Sequence, residues 1–138
     1  MKKIFKKVMV SLVAITSLSS LYCINVSAAN ATVTVGANQT WSYLGNKSRT
    51  GKYSYIAMRN LAVYPTYGGE DNFRYIQGSA NNENGYQICN VLTLDEQSNE
   101  ASYPSIYEGY LDSKFINFKF RGNSPNYGAT ASVVYNPM

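Results

Sequence analysis

The sequence predicts an all-β fold: a single antiparallel two-sheet β-sandwich of about eight strands, following a cleaved signal peptide. Three observations predict it. From residue 29 onward, segments of period-two alternation rich in Tyr, Val, Ile, Thr and Phe recur along the chain. Gly, Asn, Ser and Pro separate them at fairly regular spacing, as turns require. Nowhere does an apolar stripe return at three- and four-residue steps over three turns, the pattern a helix would need. Short strands with regular turn signals favour a sandwich over a closed barrel.

The elements follow in chain order. Lys2, Lys3, Lys6 and Lys7 precede an apolar run over residues 8–21, and small residues follow at Val26, Ser27, Ala28 and Ala29. This is the order of a secretory signal peptide, with the cut expected between Ala28 and Ala29. The run is short of the roughly 20 apolar residues of a spanning helix and is interrupted by Ser17, Ser19 and Ser20. Bulky Tyr22 stands before Cys23, where lipid attachment wants a small residue. The expected domains are therefore 1–28, a secretory signal peptide, and 29–138, the β-sandwich domain. The expected address is extracellular, with the membrane met only during export.

Strands are expected over residues 31–35, 40–44, 52–63, 73–77, 86–94, 106–111, 114–121 and 129–135. The span 114–121 is the clearest, with Ile116, Phe118 and Phe120 on one face and Asn117, Lys119 and Arg121 on the other. One face is expected buried and the other wet. The turn-rich residues 122–128 lead to the last strand, so these two strands are expected to form a hairpin with a long loop. Asn84-Gly85 marks another turn, inside a loop expected over 79–85.

Charge and cysteine usage narrow the function classes. Four of the 12 Lys and Arg precede residue 29 and all 8 Asp and Glu follow it, so the mature domain carries no net charge. A nucleic-acid or anionic-membrane partner recruited by net positive charge is not supported, and none is expected. Cys89 has no second cysteine in the mature domain, which rules out an intramolecular disulfide. In an expected strand it reads as a small buried hydrophobe, with intermolecular pairing or a reactive thiol as the alternatives.

Histidine is absent from the chain. Ser-His-Asp and Cys-His nucleophile pairs, His-ligated zinc and the commonest general base are all excluded with it. P-loop and dinucleotide-binding patterns are missing as well. A carboxylate pair for glycoside hydrolysis would have to come from Glu70, Asp71, Glu83, Asp95, Glu96, Glu100, Glu108 and Asp112, nearly all in expected loops. Residues 95–100 offer oxygen atoms to calcium but lack the glycine and distal glutamate of an EF-hand loop. The expectation is a protein that is not an enzyme and takes no cofactor.

The positive signal is aromatic. Residues 29–138 hold 12 tyrosines and the single Trp41. Tyr43, Tyr53, Tyr55, Tyr75, Tyr86 and Tyr135 are expected to pack between the sheets or pair across strands. Tyr64, Tyr67, Tyr103, Tyr107 and Tyr127 lie beside turn residues and are the candidate binding residues. Rigid tyrosines on loops supply contact area at low entropic cost, with a hydroxyl to hydrogen-bond. Such a surface suits a cell-wall or surface glycan, or a protein partner.

The C-terminal part, from Gly109-Tyr110 through Phe118-Lys119-Phe120-Arg121-Gly122-Asn123 to Val133-Val134-Tyr135, resembles the lactococcin-type β-sandwich bacteriocins, small exported proteins of Gram-positive bacteria. The likeness covers about a quarter of the chain and rests on pattern. It implies a secreted β-sandwich and, as an alternative to a binding module, a bacteriocin-like toxin against neighbouring bacteria. It assigns no role to any single residue.

Overall fold

The structure, a computed structural model, describes residues 28–35, 40–66, 74–123 and 128–138. Of the expected signal, all but Ala28 lies outside the described residues, as do Tyr67, Phe73 and Tyr127. Seven strands occur among the described residues: β1 Ala29–Val35, β2 Ser42–Ser48, β3 Ala57–Pro65, β4 Tyr75–Asn82, β5 Leu92–Asp95, β6 Phe115–Gly122 and β7 Ala129–Asn136. They form two sheets, β1-β7-β3 and β2-β6-β4-β5. Every pairing is antiparallel, as the predicted sandwich requires.

Alternation along the two central strands builds the core. β6 buries Ile116, Phe118 and Phe120, and β7 answers from the other sheet with Ala129, Ala131, Val133 and Tyr135. The Phe118 and Tyr135 rings meet at 5.0 Å between centroids, tilted by 48°, and so join the sheets. Met58, Val63, Ile76, Leu94, Val33 and Val35 complete the cluster. Each large apolar side chain removed from water contributes roughly 1.5–3 kcal/mol. Gly78 pairs with Phe120, and the space a Cβ would occupy there is already held by Met58 Sδ at 2.7 Å and Leu94 Cδ1 at 2.9 Å.

Several expectations are corrected. β6 and β7 do not form a hairpin, because each is the inner strand of a different sheet: β6 lies between β2 and β4, and β7 between β1 and β3. Residues 106–111 are not a strand. Ile106 donates to Ser54 O at 2.8 Å, and the chain then turns through the 3-10 segment Glu108–Tyr110. Ile106, Tyr110 and Leu111 still reach the core, a spacing that a short helical turn satisfies as well as a strand does.

The expected strand 86–94 keeps only β5 at its end. Its first part pairs through the single Asn81–Gln87 bridge, and the Cys89 carbonyl is taken by the side chains of Ser79 at 3.3 Å and Gln87 at 3.0 Å. Side-chain donors there replace a ladder partner. β4 runs through the loop expected over 79–85 as far as Asn82, because Ser79, Ala80 and Asn81 pair with Lys119, Phe118 and Asn117. Pairing overrides the weak strand preference of those residues. The turn after it is tight, with Gly85 N–H on Asn82 O at 3.1 Å and Gly85 at φ +86°.

Candidate functional site

The three candidate tyrosines within the described residues all show their rings to solvent, Tyr64 55% exposed, Tyr103 49% and Tyr107 40%. Their placement differs from the loop expectation in one case. Tyr64 stands within β3, paired with Thr130 of β7, and points away from the core because its neighbour Val63 is buried. Tyr103 lies on a segment that adds to the free side of β3 through the bridges Ser102–Met58 and Ser105–Tyr55. Its ring meets Tyr55 edge-on at 5.7 Å, and Tyr55 meets Tyr53 at 5.3 Å. Tyr107 precedes the 3-10 turn and donates its hydroxyl to Asn90 Oδ1 at 2.9 Å. Among the described residues no ring contact joins Tyr64, Tyr103 and Tyr107 to one another.

Of the tyrosines expected to pack, Tyr135 does, against Phe118. Tyr43, Tyr75 and Tyr86 are exposed and not packed between the sheets, with Tyr43 standing opposite Lys119 and Tyr75 opposite Asp95 across the ladder. Tyr86 stacks on Tyr110 at 6.3 Å, so this part of the surface also presents an ordered aromatic pair.

A second cluster escaped the sequence reading. Directly paired residues of an antiparallel ladder share a face. The pairs Gln77–Arg121, Ser79–Lys119 and Tyr43–Lys119 therefore place these side chains on the outer face of the four-stranded sheet. Trp41, just before β2, lies against both cations, with Arg121 Cζ 4.4 Å and Lys119 Nζ 4.8 Å from its ring centroid. Arg121 Nε donates to Gln77 Oε1 at 2.6 Å, and Lys119 Nζ to Gln87 Oε1 at 3.0 Å. Lys119 was expected on a wet face, yet only 6% of it is exposed. Burial pushes its ammonium below the ordinary lysine value, an effect that Cys89 opposes and Arg121 reinforces. The signal was present as same-face pairs, Trp41 with Tyr43 and Lys119 with Arg121, but nothing in the sequence says that β2 and β4 flank β6.

The acidic loop is committed to the fold. Arg74 grips Asp95 through Nε–Oδ1 at 2.8 Å and Nη2–Oδ2 at 2.6 Å, which holds the Asp95 carboxyl below its ordinary value. Glu96 Oε2 accepts the Val63 backbone N–H at 2.9 Å. Among the described residues no group of three or more His, Cys, Asp or Glu is arranged to hold a metal ion. Cys89 is fully buried, and that burial raises its thiol pKa.

No known protein family matches the chain, and no curated protein does either. Among solved structures, the SPBc2 prophage-derived protein YomS aligns over 82% of this chain and 98% of its own, at 10% identity and a TM-score of 0.30.

Proposed function

We propose that the chain is an exported, non-enzymatic binding protein that engages a cell-envelope component, a glycan or a protein partner, through exposed tyrosines on a disulfide-free β-sandwich. One observation carries this reading: Tyr103 and Tyr107 are about half exposed while held in place, Tyr103 by the Tyr55 ring and Tyr107 by Asn90. An aromatic ring fixed before contact binds without a further ordering penalty, and its face and hydroxyl suit sugar rings and peptide surfaces alike. Tyr64 adds a third exposed ring on the outer face of the three-stranded sheet.

The test is co-sedimentation of the purified protein with intact Gram-positive cells and with purified peptidoglycan, with growth of the same cells followed alongside. The wild type is expected to pellet. Replacing Tyr64, Tyr103 and Tyr107 together by Ala is expected to abolish pelleting and leave the thermal transition in place. Pelleting undiminished in the triple variant rules out the tyrosine assignment, and growth loss without stable pelleting favours a bacteriocin-like toxin over a binding module.

A further inference from the structure

We infer that the outer face of the four-stranded sheet, centred on Trp41, Lys119 and Arg121, is a separate binding site whose occupant is an anionic glycan. The face gathers two cations that have no carboxylate partner among the described residues, where the one ion pair is Arg74–Asp95. Lys119 is more than nine-tenths buried, and a buried cation is stable only when its charge is answered. Here the Trp41 ring and the Gln87 amide oxygen answer it, and both are neutral. Arg121 stands two residues away on the same face, so the two like charges reinforce each other's demand for an anion.

The remaining geometry fits an acid group on a sugar. Gln77 holds Arg121 by Nε, which orients the guanidinium and leaves its two Nη nitrogens without a partner among the described residues. That fork matches the two oxygens of a carboxylate or phosphodiester. Beside it lie aromatic surfaces of the kind a saccharide ring uses, Trp41 and the exposed Tyr43 opposite Lys119. A nucleic acid is a poorer occupant. Two unpaired cations make no phosphate-tracking stripe, and the mature domain has no net charge to steer one. The site is separate from the tyrosine reading, since Tyr64 stands on β3 of the other sheet and Tyr103 and Tyr107 lie on the segment between β5 and the 3-10 turn, none of them on β2, β4 or β6.

Trp41 is the single tryptophan of the chain, so intrinsic fluorescence reports on this site directly. Titrating the purified protein with polygalacturonate is expected to give a saturable tryptophan signal that dextran, a neutral glucan, does not. Raising salt from about 0.05 to about 0.5 M is expected to weaken it, because the contacts are ionic. Arg121→Gln is expected to lower affinity roughly tenfold or more, with Arg121→Lys falling between it and the wild type. Tyr103→Ala is expected to leave this titration unchanged, which separates this site from the tyrosines that peptidoglycan pelleting tests. An equal response to dextran, an equal response to a single-stranded oligothymidylate, no saturable signal, or full affinity in a folded Arg121→Gln protein would each overturn the inference.

Discussion

The Glu96 carboxylate accepts the backbone N–H of Val63 at 2.9 Å, beside the point where β3 slips register against β7 between Asn60 and Ala62. β3 is an edge strand of its sheet, so the N–H groups on its free side have no ladder partner, and a carboxylate just beyond the end of β5 supplies one here. Glu96→Ala is expected to destabilise the fold by about 1–3 kcal/mol, read from the urea midpoint, with Glu96→Gln losing less because its amide oxygen still accepts. An unchanged midpoint in Glu96→Ala would show that water serves Val63 equally well.

Gly78 faces the packed interior between the sheets. An added Cβ would stand 2.7 Å from Met58 Sδ and 2.9 Å from Leu94 Cδ1, and 3.2 Å from Phe120 Cε1. Gly78→Ala is therefore expected to cost about 1–3 kcal/mol by overpacking. Gly109→Ala, where a Cβ meets nothing within 4 Å, is expected to stay within about 0.5 kcal/mol of the wild type. Thermal or urea unfolding of the two variants side by side checks the contrast.

Asp95 gives stability a dependence on acid. Its folded pKa lies below the ordinary value, first because Arg74 hydrogen-bonds its carboxylate. The contribution is therefore fully present above the unfolded aspartate pKa, roughly 4, and is lost as pH falls through the lower folded value. Asp95→Asn is expected to flatten that part of the melting-temperature profile below about pH 4 and to change its slope little above pH 5. The pair is partly exposed, so the effect is expected to shrink in high salt.

Cys89 is fully buried and its thiol is pushed up by burial. Thiolate reagents are expected to leave it unmodified in the native protein and to label it in urea, with labelling following the unfolding transition. Rapid labelling under native conditions would mean that the segment between β4 and β5 opens locally, well below the global transition.

The class of fold and the buried faces of the strongest strands were legible in the local pattern of residues. Ile116, Phe118 and Phe120 alternate with polar residues and are buried, and Ala129, Ala131, Val133 and Tyr135 are the buried alternate residues of β7, where Val134 departs from the polar pattern. Period-two alternation is a local property, and burial of one face follows from it wherever the strand is placed. The absence of histidine was equally legible, since it is a matter of composition.

Tertiary structure alone decided which strands became neighbours, and the outer-face site depends on that choice. Trp41, Gln77, Gln87, Lys119 and Arg121 come from four separate stretches of chain and meet because β2 and β4 flank β6. Pairing also drew Ser79, Ala80 and Asn81 into a strand that their own preferences oppose, and turned residues 106–111 aside into a 3-10 turn. Strand order reflects the sum of many long-range contacts, none of which leaves a mark on the local pattern of the residues it joins.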